Sequence, residues 1–201
     1  GMASEVYHAL GNCEEALKYI NEACTIEQKL GNEHKLMVRL SQKASVLTGM
    51  HDYKGAESLL SKVIPYLEKV GDKQSLAISC NKMGLALMGE NRNDEAVWYY
   101  RKAADIFANI GDRGNEMHSR KGLYECLWSS NPDSAKIELN RFNDLKDSLY
   151  NMASAESLAR YNAEFGSDWL LHENELQKEK NQKTIIWGVI ILVLLVGVVW
   201  L

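Results

Sequence analysis

Seven residues combine side chains that could hold a ligand: Asn81, Leu85, Met88, His118, Lys121, Glu125 and Trp128. A forty-residue register, set out below, projects them onto one face, with Ser41 and Ser45 alongside. An amide, apolar groups, charges and an indole suit the grip on an extended peptide, through hydrogen bonds, ion pairing and aromatic contact. They do not form a bond-breaking constellation.

Other residue types carry less chemistry. The histidines (His8, His34, His51, His118 and His172) are scattered, with no HExxH spacing, and no metal site is expected. Cys13, Cys24, Cys80 and Cys126 form no CxxC pair and read as small hydrophobes on helices. Ser79-x-x-Lys82 matches a nucleophile pattern by spacing alone, without the companion motifs. The glycines sit where helices end rather than in a phosphate loop, so no cofactor is expected. A net charge of −4 gives no electrostatic footprint for nucleic acid, so direct nucleic-acid contact is not expected. These features argue against an enzyme.

The elements that must position the seven residues are repeats. Gly31, Gly71 and Gly111 lie forty residues apart, each after an apolar residue and before Asn or Asp. Ala16, Ala56 and Ala96 share the period, as do Tyr7, Leu47, Leu87 and Leu127. The glycine supplies the left-handed conformation that closes a helix, and the residue after it caps the next. The alanine lets two helices approach, with the Tyr/Leu column as the apolar knob opposite. Each unit is thus two antiparallel helices.

In the unit 32–71 the first helix is expected from Glu33 to Thr48, then a turn at Gly49-Met50-His51, with Asp52 as cap. Pro65 should kink or loosen the second helix. Asn93 or Asp94 should open the second helix of the unit 72–111. In the unit 112–150, Asn131-Pro132-Asp133 supplies a cap and then proline at the first helical position, and Ala135 sits one place off register. Residues 1–31 hold a partial first repeat, from which the native protein is expected to continue upstream.

These columns resemble the tetratricopeptide repeat family. One unit shows Gly84, Leu87, Ala96, Tyr100 and Ala103, and another Ala44, Leu47, Ala56, Leu60 and Val63. The resemblance implies an all-α helix-hairpin solenoid over about residues 3–150 that binds protein or peptide ligands on its concave face.

A linker or capping helix is expected over 151–184. There Leu158, Tyr161, Phe165, Trp169, His172 and Leu176 recur three or four apart, forming an apolar stripe. The stripe either covers the last repeat or pairs two chains as a homodimer. Residues 185–201 carry no charge, and 13 of the 17 are Ile, Leu or Val. Such a segment favours membrane insertion by about 4–8 kcal/mol, with Trp187 and Trp200 suited to the interfaces. A single transmembrane helix is expected, truncated or serving as a tail anchor.

Asp147-Ser148-Leu149-Tyr150-Asn151, Ala159-Arg160-Tyr161 and Glu173-Asn174-Glu175-Leu176 precede this segment in an order similar to the sensor region of Bacteroidetes-type membrane regulators. The resemblance implies a periplasmic array joined to a histidine kinase or helix-turn-helix output. Lys178, Lys180 and Lys183 would by themselves place the array in the cytosol instead. Two functions follow as expectations: a membrane-anchored sensor or scaffold for signal transduction or transcription regulation, and a tail-anchored cytosolic adaptor.

Overall fold

A computed structural model describes the backbone of residues 2–199 and the side chains of 2–160 and 173–186. The chain forms two compact units, Gly1–Leu149 and Tyr150–Leu201. The helices are α1 (Met2–Ala9), α2 (Cys13–Lys29), α3 (Glu33–Gly49), α4 (Tyr53–Val70), α5 (Lys73–Gly89), α6 (Asn93–Ile110), α7 (Arg113–Leu127) and α8 (Pro132–Val199).

The helices of the first unit follow a rhythm of twenty residues, half the period of the sequence columns. Left-handed backbone recurs at Gly11, Gly31, His51, Gly71, Asn91 and Gly111. After each, the next residue donates its N–H to a carbonyl five positions back, as Asp52 does to Leu47 and Asp72 to Leu67. This closes the helix C-terminus with a Schellman-type bond. That same residue then opens the next helix. The side chains of Asn12, Asn32, Asp52, Asp72 and Asp112 each accept the backbone N–H three residues on.

The fifth junction, between α5 and α6, departs from the expected cap. Arg92, rather than Asn93 or Asp94, holds the capping position and makes no cap bond. Its guanidinium instead bridges Glu57, Glu90 and Glu95 at 2.6–2.9 Å, tying α6 back to α4. Gly49 also differs from expectation: it lies inside α3, and the left-handed turn falls on His51.

Ala135 proves equivalent to the alanine column. Ala16, Ala56 and Ala96 stand four residues after their caps, and Ala135 stands four after Asn131, which caps Ser134. All four alanines are fully buried. The last turn is simply one residue shorter, with Asn131 N–H reaching the Leu127 carbonyl four positions back. α4 runs unbroken through Pro65.

Packing sets the curvature. Among α1–α7 each helix packs on the next in sequence, and α1–α3, α3–α5 and α5–α7 also touch, whereas α2, α4 and α6 do not touch one another. The odd-numbered helices therefore crowd together on the concave side, and the even-numbered ones splay outward. Leu60, Val63, Leu67, Leu87, Phe107 and Leu123 fill the core between them. At the last hairpin a half-buried ion network assists: Arg120 bonds Glu116 and Glu138 at 2.8 Å, and Arg141 bonds Glu138 at 3.1 Å.

In the second unit, Tyr150, Met152, Leu158 and Leu176 are exposed. The side chains of Tyr161, Phe165, Trp169 and His172 lie outside the described residues. So do the side chains of the expected membrane segment beyond Ile186. Among the described residues no helix is long and apolar enough to cross a membrane.

Candidate functional site

The concave face carries a chain of connected depressions. One, of about 260 Å³, lies between α5 and α7 and is lined by Asn81, Lys82, Leu85, Met88, Tyr100, His118, Lys121, Gly122 and Glu125. A second, of about 490 Å³, shares the Leu85–Met88 wall and continues along α3 past Ser45 to His8. A third, of about 190 Å³, lies between α1 and α3 around Glu5, Gln42 and Ser45, and meets the first at Lys82.

Six of the seven expected residues thus line one depression. Trp128 does not: it lies at the α7 C-cap, exposed and outside the lining. Ser45 faces the groove, but Ser41 is a correction. Only 4% exposed, it lies between repeats, its hydroxyl 2.9 Å from that of Ser79. Ser79 in turn donates to the Ser75 carbonyl at 2.8 Å and has no exposure. The Ser79/Lys82 pair is therefore a strut between α3 and α5, with its hydroxyl shut away from any substrate.

Lys82, Tyr100 and Gly122 complete the depression. Tyr100 rises from α6 between α5 and α7, where glycines make room for it. A Cβ on Gly84 would stand 2.8 Å from its ring, and one on Gly122 2.5 Å. Gly122 was visible as a break in the register, since Lys82 and Gln42 stand forty and eighty residues earlier. Tyr100 was recognisable as a position of the repeat signature, but nothing in the sequence says that its ring reaches through to the concave side.

The electrostatics are uneven. Lys121 is paired with Glu125 at 3.5 Å, half exposed. The Lys82 ammonium donates to the Ser41 carbonyl at 3.1 Å. Burial pushes its pKa down to about 8, against a smaller upward pull from Glu5. Burial raises the Tyr100 hydroxyl well above the usual phenol range. The Asn81 side-chain oxygen is shut from solvent and accepts no hydrogen bond from the described residues.

Cys80 and Cys126 are buried as expected, with thiols pushed by burial to about 12 and about 11. Cys13 and Cys24 are only partly buried, the latter's thiol also raised by burial. Among the described residues no cluster of His, Cys, Asp and Glu is arranged to hold a metal.

The tetratricopeptide repeat pattern matches residues 1–30 and 77–110, covering the α1–α2 hairpin and most of α5–α6. The apo form of RapI superposes with a TM-score of 0.67 at 16% identity, over 75% of this chain and 55% of RapI. The chain thus spans little more than half the length of RapI. The nearly identical TPR-like repeats of a Podospora anserina kinesin light chain give a TM-score of 0.58 at 17% identity, over 74% of this chain and 73% of that one. No curated protein matches the chain. The first unit is a tetratricopeptide-like helix-hairpin solenoid, and likenesses this distant show its fold alone.

Proposed function

We propose that the repeat array binds an extended peptide or protein segment along its concave groove, as the ligand-recognising part of a membrane-anchored signalling or transcription-regulating protein. The observation that carries the groove reading is the unsatisfied oxygen of Asn81 in its lining. A buried acceptor without a donor costs about 1–3 kcal/mol. Once the side-chain amide turns, a bound backbone N–H relieves that cost. Leu85, exposed on the same helix, offers apolar contact beside it.

Isothermal titration with peptides that bind the array tests this. Asn81→Ala should weaken binding about tenfold, whereas Trp98→Ala on α6, outside the groove lining, should leave it unchanged. Binding that ignores Asn81 but follows Trp98 would move the site to the outer face.

The membrane context rests on residues 185–201, whose composition favours insertion. Similarity to the membrane-regulator sensors supports a periplasmic array, with the segment 151–184 as linker and pairing helix. Lys178, Lys180 and Lys183 support the second reading, a cytosolic adaptor anchored by its tail. A topology reporter fused ahead of α1 separates the two: activity in the periplasm supports the sensor, and activity in the cytosol the adaptor.

A further inference from the structure

We propose that the outer side of the array holds a second site, separate from the concave groove, for a small aromatic carboxylate whose ring enters between α4 and α6. The site stands independently of the groove reading.

Curvature makes the room. α4 and α6 each pack on α5 but not on each other. Their splaying leaves a cleft on the convex side, with α5 as its floor. Arg92 and Glu57 tie the walls together near the start of α6, at 2.8 Å, and Lys102 and Glu68 tie them again farther along. Towards the end of α6, around Ile106 and Asn109, lies a cavity of about 350 Å³. That volume falls within the ~300–1,000 Å³ of small-molecule sites. Buried Leu67 and Leu76 and half-buried Ile106 give it an apolar lining. It shares no lining residue with the three depressions of the concave face.

The repeat itself shows what shape fits. Tyr66 stands forty residues before Ile106, and Leu36 forty before Leu76. One unit earlier, the corresponding place between α2 and α4 therefore holds the chain's own phenol ring. That ring is partly buried against the core, its centroid 6.3 Å from the His34 imidazole in the first turn of α3. Ile106 offers a branched alkyl group where Tyr66 offers a flat ring. A ligand ring in the cavity would complete the pattern that the preceding unit builds covalently, and would bury a large apolar area in doing so.

Charge on the rim selects the substituent. Glu68 is engaged by Lys102. The neighbouring Asp72 accepts from the Ser75 N–H at 3.0 Å and meets His34 at 3.2 Å. Lys73 lines the cavity and pairs with no carboxylate of the described residues. A carboxylate on the ring answers that ammonium, whereas an amine would meet like charge. Lys73 is exposed, so its contact tunes selectivity while the ring carries most of the binding.

Saturation-transfer NMR on the full chain tests the proposal, with phenylacetate as probe. Phenylacetamide removes the charge, and cyclohexylacetate removes the flat ring. Phenylacetate should bind about two- to fivefold tighter than phenylacetamide, the range of an exposed ion pair, and tighter than cyclohexylacetate. Lys73→Met should erase the gap between phenylacetate and its amide. Ile106→Tyr should abolish binding of all three by filling the cavity with the ring that Tyr66 supplies one unit earlier. Its far-ultraviolet circular dichroism should be unchanged, because the same register position already accepts tyrosine. Peptide binding in the concave groove should ignore both variants. Equal binding of phenylacetate and phenylacetamide overturns the carboxylate preference. Binding that survives Ile106→Tyr, or no binding of phenylacetate to the wild type, overturns the site. A Gly/Ser peptide ending in Phe that binds tighter than phenylacetate, and loses that binding in Ile106→Tyr, would replace the small molecule by a partner's C-terminus.

Discussion

Glycine at two positions and tyrosine at one decide the character of the groove. Gly84 and Gly122 admit the Tyr100 ring between α5 and α7, where either Cβ would collide with it. A residue's neighbours across the fold, not its own type, made this site. For that reason Asn81, His118 and Lys121 were legible from the register, while Tyr100 was not. Lys82 drew notice only through its spacing from Ser79, a pattern that lacks its companion motifs and whose hydroxyl is buried. The same burial gives Lys82 a measurable signature. Its pKa is about 8 in the folded chain against an ordinary 10.5. Between those values the unfolded chain holds the proton and the folded chain does not, so this group adds stability as pH rises. Denaturant melts of wild type and Lys82→Met should converge or cross in favour of wild type between pH 8 and 10.5. A difference that stays flat over that window would show that the ammonium is well solvated.

At the scale of the element, helix ends were the most legible feature and helix interiors the least. Cap residues are local: Asn32, Asp52, Asp72 and Asp112 bond backbone three residues away, so sequence alone identifies them. Arg92 escaped because its partners Glu57 and Glu90 come from the preceding hairpin and the turn. Which residue turns left-handed at His51 and Asn91 escaped, because neither is glycine. Pro65 shows the limit of propensity. It lies exposed in the middle of α4, flanked by the buried Val63, Ile64 and Leu67. Burial of that apolar face holds the helix through a residue that cannot donate to the carbonyl of Ser61. Pro65→Ala restores that bond at an exposed position. It should stabilise the array by about 1–3 kcal/mol, read as a higher urea midpoint with unchanged slope. A lower midpoint would mean that the helix path depends on the proline.

On the scale of the whole molecule, curvature follows from which helices touch. Contact among α1, α3, α5 and α7, without contact among α2, α4 and α6, turns a row of hairpins into a surface with an inside. The forty-residue columns foretold that repetition, and the groove follows from it. The C-terminal unit has no such internal logic to read. Its described apolar residues, Tyr150, Met152, Leu158 and Leu176, stand in solvent, and composition alone speaks for the segment 185–201. That composition makes a definite claim. A gain of about 4–8 kcal/mol on insertion corresponds to a partition ratio of roughly a thousand- to a millionfold. The chain should therefore float with liposomes in a density gradient, and a version lacking 185–201 should stay at the bottom with its helical circular dichroism and peptide affinity intact. Because the groove lies wholly within Gly1–Leu149, affinity and flotation should separate cleanly. Flotation that persists without 185–201 would shift the membrane contact to the exposed apolar residues between Tyr150 and Leu176. Loss of peptide affinity on the same deletion would show that the two units work as one.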